Sequence, residues 1–425
     1  MMDSPISKHC VVAISSHGFG HLAQVAPVLN QFAIESTQTV QTDPSIRFTL
    51  RTELPTSQIT QRVRVPFAID VASDDFGMQM RSALQTDLPA SLSRYQALHA
   101  DWTRHVDRVA EQLTEQAADL VFADIPYLTL AGASHAGITS MALCSLNWAD
   151  ILLQSVVAYP AALNEASVGL QQFERILQTM RDAYASAAVF LQPTPSMSML
   201  GLTNARAIDV VGEPPPQNCR ETVNEWVQRA HLQQNKPQAI NKQIANKQTT
   251  NKKIRDAWLV LVSMGGIPTE LQPANWPTHC NGRLVIYLVT AALANQHPHA
   301  VVVDDHAPAY QTLIAASDVV LTKPGYGTFV EACAAGTPIL SVTRAQWPES
   351  DALMRWVSDS GHVKAITLGQ LSAGEFGTAL GVLLDGGRSE PIEMTGAASA
   401  AQTIRGLIDP SARGAVAAPV DLRRG

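Results

Sequence analysis

Two histidines flank two glycines in Ser16-His17-Gly18-Phe19-Gly20-His21, between an apolar run at 10–15 and a helically spaced run at 22–32. The glycines let backbone approach a ligand closely, as side chains would not. A histidine near its ordinary pKa can take a proton from a hydroxyl, so His17 and His21 are both candidate bases. Asp124 ends the apolar run Leu120-Val121-Phe122-Ala123. A carboxylate there can fix the tautomer of an imidazole and stabilise its charged form. It can equally cap the helix expected after Pro126. Two other readings of the His–Gly loop are weaker. The glycines spoil the regular helix turn a His–His metal pair needs. The loop also resembles a degenerate dinucleotide fingerprint, but the nearest strand-ending acid, Glu53, comes too late.

A second constellation lies near the other end of the chain. Val319-Val320-Leu321-Thr322 runs into Lys323-Pro324-Gly325-Tyr326-Gly327-Thr328, and a helix is expected over 329–335. Strand, glycine loop and helix N-terminus together make an anion site, because free N–H groups and the positive helix end face the ligand. Thr328 adds a hydroxyl and Lys323 a charge. Glu331, inside the helix, suits a ribose diol better than a phosphate. An ordinary βα turn is the plain alternative. Gly265-Gly266 follows the apolar run 258–263 and forms a matching loop. Gln346, Glu349 and Asp351 follow a further strand, either as sugar ligands or as caps of the next helix. Asp304-Asp305-His306, with His297 and His299, reads as a cap before a metal site. No Asp-x-Asp triplet occurs, so a leaving diphosphate would rely on Lys323, Thr328, the helix end and the Gly265-Gly266 loop.

These residues need a frame. Alternating short apolar runs and amphipathic stretches imply parallel sheets covered by helices, an α/β class with sites at the carboxyl ends of strands. The expected architecture is two doubly wound Rossmann-like domains facing across a cleft. Their expected bounds are 1–212 and 257–408, with a Pro-rich then Asn/Gln/Lys-rich linker or insertion at 213–256 and a tail at 409–425. One long helix is expected over 92–117, and acceptor-side loops over 74–88 and 148–166. The 425 residues suffice for two domains, and 46% hydrophobic with 16% charged residues describes a packed globular chain. A net charge of −7 argues against nucleic acid as partner. Five dispersed cysteines suggest reduced thiols and a cytoplasmic setting. No signal peptide and no membrane-spanning run is expected; peripheral membrane contact stays open.

Taken together, these motifs resemble the GT-B glycosyltransferases, in particular the lipid II-forming N-acetylglucosaminyltransferase and the UDP-glycosyltransferases of small molecules. The segment from Val301 through Asp304-Asp305 to Lys323-Pro324-Gly325 and Glu331 is similar to the first branch in order and spacing. That resemblance implies an NDP-sugar substrate, with the base near Val303, ribose on Glu331 and diphosphate on Gly325 to Thr328. Gly20-His21 resembles the Gly-His of both branches, and Asp124 stands where the small-molecule branch has its supporting Asp. The resemblance implies an inverting, metal-independent hexosyl or N-acetylhexosaminyl transfer from a donor, expected to be UDP-linked, to an unidentified acceptor, with no cofactor. Lys-Pro-Gly-Tyr-Gly-Thr replaces the plant-type His-Cys-Gly-Trp-Asn-Ser, leaving sugar and base open. The His-Gly-Phe-Gly-His form also resembles the N-terminal region of plant arabinose kinase; without a kinase half, no phosphoryl transfer is expected. An epimerase on the same fold and a non-catalytic nucleotide-sugar sensor remain alternatives.

Overall fold

The computed structural model describes residues 7–38, 46–234, 255–267 and 269–409. The first sheet holds β1 (His9–Ile14), β2 (Arg47–Arg51), β3 (Phe67–Asp70), β6 (Leu120–Asp124), β7 (Ser140–Leu143), β8 (Phe190–Pro193) and β9 (Ala205–Ile208), in the order β3-β2-β1-β6-β7-β8-β9. All pairs are parallel. A separate hairpin joins β4 (Met80–Ser82) to β5 (Gln85–Thr86). The second sheet follows the order β11-β12-β10-β14-β15-β16. Its strands are β10 (Trp258–Ser263), β11 (His279–Cys280), β12 (Arg283–Val289), β14 (Val319–Thr322), β15 (Ile339–Val342) and β16 (Val363–Ile366), and β13 (Ala300–Val302) pairs with β12 off that path. Every pair but β11–β12 is parallel.

The apolar runs became strands because both faces are covered, as in doubly wound sheets. Every residue of β1, β6, β7, β14 and β15 is buried. In each sheet the chain order reverses beside one central strand: between β1 and β6 in the first, between β10 and β14 in the second. Doubly wound sheets open a crevice at that reversal.

Several expected elements differ. The single helix over 92–117 is two, Leu88–Ala100 and Trp102–Glu115, broken where Asp101 leaves helical geometry at φ −113°, ψ 30°. The break lets Trp102 stack on both His99 and Tyr127. Residues 148–166 are not loop but two helices, Trp148–Ala158 and Ala161–Glu165; the Asn147 side chain caps the first. Helix Cys219–Gln234 lies within the expected linker and buries Val223, Trp226 and Val227. The Asn/Gln/Lys-rich stretch from 235 to 254, the first six residues and the tail from 410 fall outside the described residues. The last helix, Gly396–Ile408, crosses back toward the first sheet: Gly396 N donates to Val210 O at 3.0 Å, and the Arg405 guanidinium lies 4.4 Å from the Phe32 ring. None of the described helices is long and apolar enough to cross a membrane.

Candidate active site

Strand register sets the first half of the site. Ile14 lies opposite Asp124, so the β1 loop and the end of β6 are neighbours at the switch point. The helix after β1 is Phe19–Gln38. It starts three residues earlier than expected, so Gly20 and His21 belong to its first turn, not to the loop. There His21 Nδ1 lies 3.3 Å from each carboxylate oxygen of Asp124. Asp124 does not cap the next helix: the N-cap is Pro126, with no side-chain cap bond. The carboxylate is aimed by a strained residue, Ile125, at φ 142°. A β-branched side chain rarely adopts that region, which costs ~1–3 kcal/mol and clusters at functional sites.

Burial opposes charge on His21, yet the Asp124 carboxylate, with Asp75 and Glu349 further off, outweighs it and raises its pKa above the ordinary histidine value. His17 is the opposite case. Burial first, then the charges of His21, Arg344 and Lys323, push it down to about 3. Its ring stacks on Trp347, with centroids 5.7 Å apart, and meets Trp148 edge-on. The His17 and His21 ring centroids are 6.4 Å apart, edge to face. His21, Asp124 and Cys144 do bring donor atoms within 4.8 Å of one another. Burial and then Asp124 hold the Cys144 thiol pKa far up. Sequence reasoning passed over Asp75 as loop. It accepts from Ser15 Oγ at 2.9 Å and Trp148 Nε1 at 2.7 Å, and burial pushes its carboxyl up to about 6. The acidic doublet Asp74-Asp75 was the available signal.

The second half repeats the device. Ser263 lies opposite Thr322, which sets the Gly265-Gly266 loop beside Lys323. The helix after β14 is Tyr326–Ala334, with Gly325 as N-cap and no side-chain cap bond. It too begins three residues earlier than expected, so Tyr326, Gly327 and Thr328 form its first turn. Thr328 Oγ1 is 2.9 Å from the Tyr310 hydroxyl. The Tyr326 hydroxyl accepts from Val211 N and donates to Thr194 O, tying this helix to the first domain. Glu349 precedes helix Ser350–Ser360 but makes no cap bond. It accepts from Ser145 Oγ at 2.6 Å and Trp347 Nε1 at 3.1 Å. Gln346 is exposed; buried Trp347 faces the cleft in its place. Asp304 Oδ1 accepts from His306 N at 3.0 Å, a local turn.

Across the cleft, His17, Gly18, Gly20 and His21 face Gly265, Lys323, Gly325, Tyr326, Gly327, Thr328 and Glu349. Arg344, absent from the sequence expectations, lines the same space. Asp124 stands behind His21. Gly266, Val303, Gln346 and Glu331 are not among the lining residues. Val303 N already donates to Val289 O at 2.7 Å, and Gly266 packs beside the Phe19 ring. Glu331, expected to hold the ribose hydroxyls, is buried in an ion pair with Arg62 of the first domain at 2.5 Å, while Gln311 Nε2 lies 3.5 Å from the same oxygen. The cleft holds about 90 Å³.

This architecture is the GT-B fold: two facing doubly wound domains with a site between them. The solved structures it is similar to include the glycosyltransferase of kitacinnamycin, at TM-score 0.55 and 14% identity over 95% of this chain and 100% of that one. A second is Os79 from O. sativa in complex with UDP, at TM-score 0.52 and 15% identity over 94% of this chain and 100% of that one. A third is CalG4, the calicheamicin glycosyltransferase, at TM-score 0.51 and 14% identity over 96% and 100%. Among curated sequences, the chain is 25% identical over 359 residues to L-arabinokinase of Arabidopsis thaliana, covering 82% of this chain. It spans only 30% of that protein's length. No family model matches the chain.

Proposed function

We propose that this protein transfers a sugar from a nucleotide diphosphate donor, UDP-linked in the first instance, to an acceptor hydroxyl, with inversion and without a metal. The observation that carries the reading is the buried His21–Asp124 dyad facing, across one cleft, an uncapped helix N-terminus flanked by Lys323. A solved neighbour of the same fold holds UDP.

The chemistry follows from charge. Asp124 occupies Nδ1 and leaves Nε2 of His21 to take the acceptor proton. The acceptor oxygen then attacks the anomeric carbon as the bond to the β-phosphate oxygen breaks. One displacement from the far face inverts the centre. Negative charge growing on the leaving diphosphate is met by the N–H groups of the first helix turn and by Lys323. His21 suits the base role better than His17, because a ring held near pKa 3 has little affinity for the proton. Trp347 and Glu349 line the cleft beside His21, where sugar and acceptor hydroxyls would meet the dyad.

The test is a thermal-shift screen over nucleoside diphosphates and their sugars, followed by NMR of the best donor with and without candidate alcohols. Stabilisation by one nucleotide family and acceptor-dependent release of nucleotide are expected. Sugar interconversion on donor alone would make it an epimerase; stabilisation without turnover would make it a sensor.

A further inference from the structure

We propose that Arg344, together with Lys323, forms a two-cation seat for the diphosphate of the bound nucleotide, supplying from side chains the positive charge that a divalent metal would otherwise bring. The inference rests on the nucleotide reading above and deepens it.

Arg344 follows β15 and is only 5% exposed, yet it has no carboxylate partner among the described residues. Among the described residues its Nε has no hydrogen-bond partner, and Nη2 reaches Met80 Sδ at 3.9 Å. Its guanidinium lies 3.8 Å from the Trp347 ring centroid, a contact that holds the plane in place while its N–H edge stays free. The Lys323 ammonium likewise has no ion-pair partner among the described residues. It lies against the Gly265 loop and the Gly325 N-cap, where a Cβ on either glycine would stand 3.2 Å and 3.5 Å from Nζ. The nearest acid, Glu349, is already engaged by Ser145 and Trp347. Buried charges without partners are costly, and such sites are kept where a ligand completes them.

The geometry selects the ligand class. Both cations line the cavity reached by the helix N-terminus, so three positive features converge on one small space. A single carboxylate or sugar hydroxyl satisfies one of them. A diphosphate, with several oxygens on two adjacent phosphorus atoms, satisfies all three, and a guanidinium edge suits phosphate in bidentate fashion. Burial, and secondarily Arg344, depresses Lys323 to about 7, with Glu349 opposing; burial takes Arg344 to about 9. His17 faces the same pair from the first domain. An arriving diphosphate restores the charged form of Lys323, so binding above its free value takes up a proton.

Calorimetry of wild type, R344M and K323M with UDP and with inorganic pyrophosphate tests this. Both variants should bind both ligands about 10–100-fold more weakly, the loss expected for hydrogen bonds to charged groups. At ~pH 8, wild type but not K323M should take up protons on binding UDP, read from the difference in heat between Tris and HEPES buffers. Apo R344M should melt no lower than wild type, since an unpaired buried cation has been removed, so weaker binding cannot be ascribed to misfolding. UDP affinity unchanged within about two-fold in both variants overturns the two-cation seat and leaves the nucleotide reading standing. Pyrophosphate bound through Arg344 and Lys323, with UDP no tighter, upholds the seat and removes the nucleotide. Wild type binding neither ligand overturns both.

Discussion

Two histidines four residues apart differ because of what touches them. His21 meets a carboxylate; His17 meets two indoles and two cations. Replacing His21 by Ala should lower acceptor-dependent transfer about 10²–10⁴-fold at constant nucleotide affinity, the range for a lost general base. Undiminished turnover would remove it from the mechanism. His17 makes a different prediction. Its folded value near 3 lies below the unfolded value near 6.5, so the unfolded chain binds the extra proton between them. Stability therefore rises with pH through that window. Melting curves from pH 3.5 to 6.5 should be steeper for wild type than for H17F, and identical slopes would contradict the buried neutral ring. The dyad residues were readable singly, since glycine flanks and a strand-ending acid are local signals. Asp75 showed only as half of an acidic doublet and Arg344 not at all, because their roles depend on neighbours far along the chain.

At the scale of elements, the decisive contact is between two helix starts. A Cβ on Gly327 would stand 2.6 Å from Ala23 Cβ, so Tyr326–Ala334 approaches helix Phe19–Gln38 closely only because that residue is glycine. The sequence offered Gly327 as a phosphate-loop residue; the structure adds that it lets the two first turns approach. G327V should force the helices apart. Small-angle scattering should show a more open molecule, with turnover lowered more than nucleotide affinity. An unchanged scattering profile would show that the approach does not govern closure. Gly266 has a similar part at φ +82°, with the Phe19 ring where a side chain would go.

At the scale of the whole molecule, the cleft is narrow. About 90 Å³ is far below the several hundred that small-molecule ligands occupy, so entry needs the domains to part. The Arg62–Glu331 pair spans the two domains and holds the carboxylate offered to ribose. R62A should free that carboxylate and tighten UDP binding several-fold, whereas E331A should weaken it. Calorimetry on the two variants decides: equal effects in the same direction would show the pair to be a structural strut rather than a competitor for the ligand.

Strand identity, the two glycine loops and the doubly wound plan were legible because they rest on local periodicity and turn chemistry. Asp124 could be read as cap or as partner of a histidine; the parallel register of β1 on β6 decided for the partner. The break at Asp101, the helices after Trp148 and the last helix returning to the first sheet answer to packing rather than propensity. What only the tertiary structure settled is charge: which ionisable groups are paired, which are orphaned and which are desolvated. Those properties depend on distance in space, and sequence separations such as the 269 residues between Arg62 and Glu331 carry no trace of them.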